Sequence, residues 1–146
     1  MKLEKDIQKD IIHYLKLRNI PISVTDASRA WGRDGGIRKS KVSPDHPDLS
    51  CVLPVYSNHI KVGLAFFIEV KSSKGKLRDG QKYKLIELSD TGAVCLVARS
   101  VEEVEQMVER FMSKELKQED LDYANSLLLK EMSSKRKKKT TTALPF

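Results

Sequence analysis

Residues 49–71, LSCVLPVYSNHIKVGLAFFIEVK, constrain the fold more than any other stretch. Two apolar runs, about Leu49–Val55 and 61–71, flank a turn centred on Ser57-Asn58. Such a pair reads as an antiparallel hairpin. Side chains alternate along a strand, so Glu69 and Lys71 share one face while Ile68 and Val70 point the other way into packing. Asp48 opens the first strand, and a hairpin sets the start of one strand beside the end of the other. The pairing therefore predicts that Asp48, Glu69 and Lys71 converge.

The flanking segments supply a sheet and its cover. Residues 3–18 have helical periodicity, with Ile7, Ile11, Ile12, Tyr14 and Leu15 on one broad face. Glu4 falls near the middle of that face, and Asn19 and Pro21 end the helix. ISVTDASRA (22–30) alternates like a first strand, and 31–47, rich in Gly, Pro and charge, reads as a loop. A helix over about 79–90 stops before Gly92, a C-terminal cap residue. AVCLVA (93–98) is continuously apolar, the pattern of a strand in a sheet interior. Ser100, with Glu103 three residues on, forms a capping box that opens a helix to about Met112. A last amphipathic helix covers about 119–133. The order α-β-β-β-α-β-α-α predicts an α/β fold, a mixed β-sheet flanked by helices.

The chain's 146 residues fit one domain. No apolar run approaches the roughly 20 residues of a membrane helix. The first residues, MKLEKDIQKD, lack the apolar core of a signal peptide, so the expected location is cytoplasmic. Cys51 and Cys95 lie in apolar strands as small buried residues, and with three scattered His they do not make a zinc site. The net charge of +7 is concentrated in residues 130–146, which hold six basic side chains and one acid. Such a run suits an anionic partner or a solvated terminus equally.

Two carboxylates held together repel, and a divalent cation with oxygen ligands relieves that repulsion. A cation so held can activate water and neutralise charge on a phosphate. A nearby lysine can orient the water or stabilise the transition state. Phosphodiester hydrolysis is the reaction this set fits best. Taken singly, Glu69 and Lys71 would be a weak same-face ion pair at a strand end. The neighbouring Asp45, in SPDHPD, competes with Asp48, which is preferred because it abuts the apolar run.

PD (47–48) followed by EVK (69–71) resembles the PD-(D/E)xK nuclease superfamily. HPDLS, FFIEVKSSKGKLRDGQ and LSDTGAVCLVARSVEEVEQMV resemble, more narrowly, the VRR-NUC family, over roughly residues 4–110. The loop departs from the family's commoner Gly-x-Pro-Asp. The resemblance implies an αβββαβ core with C-terminal helices, and a DNA endonuclease using Mg²⁺ or Mn²⁺. Asp48, Glu69 and the backbone carbonyl of Val70 would ligate metal, and Lys71 would act on the water. Glu4 would contact metal through water or complete the acidic pocket, and Gln81 would orient lysine or phosphate. Stand-alone members resemble Holliday-junction resolvases, implying branched DNA as substrate, a homodimer, and a phage or similar source. On this reading residues 1–112 are the nuclease domain, 113–134 a helical extension and 135–146 a basic, flexible tail. Flap, nicking or exonuclease activity, or a non-catalytic DNA-binding role, remain the alternatives.

Candidate contacts to DNA are Arg29, Arg33, Arg38, Lys39 and Lys41 in the loop, and Lys74, Lys76 and Arg78 beyond the ExK strand. Trp31 could stack on an exposed base or pack in a core. Leu144 and Phe146 in TTTALPF resemble the short apolar peptides that dock on sliding clamps, though Thr141 replaces the usual glutamine.

Overall fold

A computed structural model describes residues 2–25 and 43–133, together with the backbone of 30–31 and 37–38. Helix α1 (Glu4–Leu17) leads into strand β1 (Ile22–Val24). Strands β2 (Ala30–Trp31) and β3 (Ile37–Arg38) pair with each other in a separate two-stranded sheet. Strands β4 (Leu49–Ser57) and β5 (Ile60–Val70), helix α2 (Asp79–Ser89), strand β6 (Val94–Ala98) and helices α3 (Val101–Phe111) and α4 (Gln118–Ser133) follow. The main sheet runs β1-β4-β5-β6, with antiparallel β1–β4 and β4–β5 pairs and a parallel β5–β6 pair. It is an α/β fold with a mixed sheet.

The long hairpin forms as its sequence predicts, with Leu49 opposite Ile68 and Ser57 opposite Ile60. Its turn is one residue further on than expected. Asn58 and His59 adopt φ of 52° and 68°, the left-handed pair that matches the twist of a two-residue hairpin. Pro54 fits mid-strand for a definite reason. The N–H groups of Val52 and Tyr56 point away from β5, to the carbonyls of Pro21 and Lys114. Pro54, between them, has no N–H to leave unpaired. The chain after α3 continues this edge: Ser113 N–H donates to Pro54 O and Leu116 N–H to Tyr56 O.

Both faces of the sheet are covered at its β5–β6 side. Leu49, Cys51, Leu53, Val55, Phe66, Ile68 and Val70 pack with Ile7, Ile11 and Leu15 of α1 and Val104, Met107, Val108 and Phe111 of α3. On the other face Cys95 and Val97 meet Leu85 of α2 and Leu128 and Met132 of α4. Every residue of β6 is therefore buried, which is why its sequence does not alternate.

Several expectations shift in detail. The first strand ends at Val24, not at residue 30, and the segment read as loop contributes β2 and β3. These two-residue strands are too short to give a period. The capping box on α3 is only half formed. Ser100 Oγ accepts from Glu103 N at 3.4 Å, but the Glu103 carboxylate takes the N–H of Arg99, at 2.6 Å, instead of that of Ser100. Among the described residues no helix is long and apolar enough to cross a membrane.

Candidate active site

The β4–β5 register extended by one residue sets Asp48 opposite Glu69. Asp48 is held from three sides. Its Oδ2 accepts from Val70 N at 2.8 Å, and its carbonyl accepts from Thr25 N at 2.8 Å. Thr25 Oγ1 donates to the preceding Pro47 carbonyl at 2.6 Å. No local pattern points to Thr25, because its role depends on β1 lying beside the acid loop.

Glu69 is 3% exposed, Lys71 9% and Gln81 7%, and no other polar residues are so deeply buried among those described. They also contact one another. Gln81 Nε2 donates to Glu69 Oε2 at 3.0 Å, and Lys71 Nζ lies 3.7 Å from the same oxygen. The other end of the Gln81 amide is used too: its Oε1 accepts from Arg78 N at 3.0 Å, satisfying a free donor at the start of α2. The glutamine therefore orients the glutamate, where the resemblance implies lysine or phosphate.

Burial, and next the charge of Asp48, push the Glu69 carboxyl from 4.5 up to about 8, against the opposing pull of Lys71. Near neutral pH the Glu69 carboxyl therefore keeps its proton, at a place where an oxygen-loving cation could stand instead.

Asp45 is engaged elsewhere. Its carboxylate lies 3.5 Å from Arg78 Nη2, and Arg78 Nη2 also donates to Pro44 O at 3.1 Å. It packs against the start of α2 so closely that a Cβ on Gly80 would stand 2.6 Å from Asp45 Cγ. Of the two acids in SPDHPD, Asp48 is thus the one beside Glu69, and Asp45 ties the acid loop to α2.

Glu4 bears on this group through its charge. It stands in the first turn of α1, on the side of the helix that carries Ile7, Ile11 and Leu15, with its side chain exposed, and its charge is the last of the influences that raise Glu69. Among the described residues no cluster of three or more His, Cys, Asp and Glu gathers at ligating spacing. Val70 is fully buried, with its N–H taken by Asp48.

Lys74, Lys76 and Arg78 are exposed on the segment leading to α2, although Arg78 is also the partner of Asp45. Arg29, Arg33, Lys39 and Lys41 lie outside the described residues, as does the segment 134–146 with its basic run and TTTALPF end. Trp31 and Arg38 belong to β2 and β3. His46, beside the acid loop, sets its ring edge-on to Phe67 at 5.8 Å, and burial followed by the Lys84 charge lowers its pKa.

Neither a family model nor a curated protein sequence matches the chain.

Proposed function

We propose that the chain is a divalent-metal-dependent DNA endonuclease of the PD-(D/E)xK type, resembling the VRR-NUC family. The observation that carries this reading is the buried Glu69 carboxyl, pressed against Asp48 and flanked by Lys71 at 3.7 Å. A buried acid kept protonated by an adjacent acid lowers the protein's stability above the acid's ordinary pKa. Retaining that cost suits a site whose occupied form is different from its empty one.

The donors fit Mg²⁺ or Mn²⁺: two carboxyl groups, one on β5 and one on the residue before β4. Asp48 and Glu69 would hold the ion, together with the Val70 carbonyl that the resemblance assigns. When bound, the ion supplies Lewis-acid stabilisation of phosphate charge and a lowered pKa for water. Gln81 keeps the Glu69 carboxylate from rotating. Lys71, a cation at the same end of β5, orients the attacking water and offsets charge on the phosphate. Lys74 and Lys76 lie exposed beyond it for the DNA backbone. The family likeness adds a branched substrate and a twofold dimer, since two symmetry-related strands of a four-way junction must be cut.

The test is a cleavage panel of four-way junction, flap, nicked and plain duplex, with Mg²⁺ or with chelator. Symmetric paired cuts that require Mg²⁺, vanish in Glu69→Ala and slow by roughly 10²–10³-fold in Lys71→Ala are expected, with DNA binding retained. Cutting indifferent to branching would remove the junction assignment. Activity equal in Lys71→Ala and the unsubstituted protein would remove the mechanism.

A further inference from the structure

The turn after the EVK strand is held by a side chain from elsewhere in the chain. Arg99 stands one residue past Ala98, whose carbonyl accepts the backbone N–H of Lys71 at 3.0 Å. Its Nη1 donates to the carbonyls of both Ser72, at 2.6 Å, and Gly75, at 2.8 Å. Its other edge meets Glu131 of α4, with Nη2–Oε1 at 3.0 Å and Nε–Oε2 at 3.5 Å. The Arg99 backbone is fixed as well, by the Glu103 carboxylate. A planar guanidinium with a fixed fork of donors suits such a bridge, and lysine does not.

What the turn covers gives this network its meaning. The turn closes on itself through Gly75 N to Ser72 O at 3.1 Å. A Cβ built on Gly75 would lie 3.4 Å from Cδ of Lys71 and 3.3 Å from Ser72 Oγ. The backbone at Gly75 therefore rests on the stem of Lys71, and Lys71 is only 9% exposed. Its ammonium lies near Glu69 while its stem is packed beneath a turn that Arg99 holds down.

We infer that Arg99, anchored by Glu131 of α4, is the positioning residue for Lys71, so that the last helix belongs to the catalytic apparatus. The inference rests on the catalytic reading of Lys71. Sequence alone places α4 outside the nuclease core, because a contact between residues 99 and 131 leaves no local pattern. The arrangement also explains a half-buried arginine placed away from both acids. It spends its donors on two carbonyls that the turn leaves facing it, and a carboxylate offsets its charge.

The experiment uses full-length protein with Arg99→Lys and Glu131→Gln, each alone and each with Lys71→Met. Two readouts are compared. One is the rate of reductive methylation of Lys71, followed by peptide mass spectrometry with exposed Lys74 as internal reference. The other is kcat for Mg²⁺-dependent cleavage, measured beside the Kd for the same DNA. In Arg99→Lys, methylation of Lys71 rises several-fold against Lys74, and kcat falls roughly tenfold or more, with Kd within about twofold, because small misplacements are costly. Glu131→Gln moves both in the same direction by less. In the Lys71→Met background neither substitution lowers residual kcat further, since both act through the missing lysine.

Unchanged Lys71 methylation and kcat in folded Glu131→Gln and Arg99→Lys would overturn the inference. So would an equal rise at Lys71 and at buried amides throughout the chain by hydrogen exchange, which marks general loosening. If Arg99→Lys does not fold, Glu131→Gln decides alone. Absence of cleavage by the unsubstituted protein would overturn the catalytic reading of Lys71. The methylation arm would then still decide whether Arg99 holds the turn.

Discussion

Substituting Glu69→Gln should abolish a pH dependence of stability that the unsubstituted protein shows when divalent metal is chelated. The Glu69 carboxyl titrates at about 8 in the fold against 4.5 ordinarily. Between these values the folded protein binds more protons than the unfolded chain. Stability is therefore full at and below pH 4.5 and falls as pH rises through 8. At ~1.36 kcal/mol per tenfold change in proton affinity, the full effect is about 5 kcal/mol. Relaxation and water entry in the deprotonated state bring the expected difference to roughly 3–5 kcal/mol. Glutamine keeps the shape and an oxygen for Gln81 Nε2 to bond, but cannot ionise. Urea unfolding followed by circular dichroism from pH 4.5 to 9 in EDTA measures the contrast, since the other groups are common to both proteins. The variant should overtake the unsubstituted protein across that window, and Mn²⁺ should close the gap by stabilising only the latter. Parallel pH profiles in EDTA would refute the buried proton and the reasoning built on it.

Three further outcomes follow from the same geometry. Lys71→Met removes the cation that opposes Glu69's upward shift, so the midpoint of the pH profile in EDTA should move above 8. Gly80→Ala should cost about 1–2 kcal/mol in urea unfolding, because the new Cβ meets the Asp45 carboxylate. With Asp45→Ala also present the same change should become neutral or stabilise by up to ~1 kcal/mol, as Ala is the better helix former. Burial pushes the Cys51 and Cys95 thiols up to about 12, so both should resist a disulfide reagent at pH 8 until the chain is unfolded.

Much of this protein is legible locally. Alternation within 61–71 predicts the face on which Glu69 and Lys71 stand, and the hairpin predicts the meeting with Asp48, because antiparallel pairing is a short-range rule. The continuous apolar run at 93–98 predicts a strand covered on both faces. For Glu4 a helical wheel gives the apolar face of α1, and only the assembled fold shows that its side chain is exposed there while its charge reaches Glu69. The preference for Asp48 over Asp45 follows from its place against the apolar run, and the fold adds what the sequence could not show, that Asp45 is engaged by Arg78 and the start of α2.

Period and pairing, then, are properties of neighbouring residues, and the sequence determined the strands, the main helices and two acids with a lysine at one sheet end. Burial and long-range bonding are properties of the assembled layers. It takes the assembled layers to make Glu69 keep a proton, to let Gln81 and Thr25 hold the two acids, and to join α4 through Arg99 to the turn over Lys71. Each of these depends on a group removed from water by a segment distant in sequence, and desolvation has no local signature.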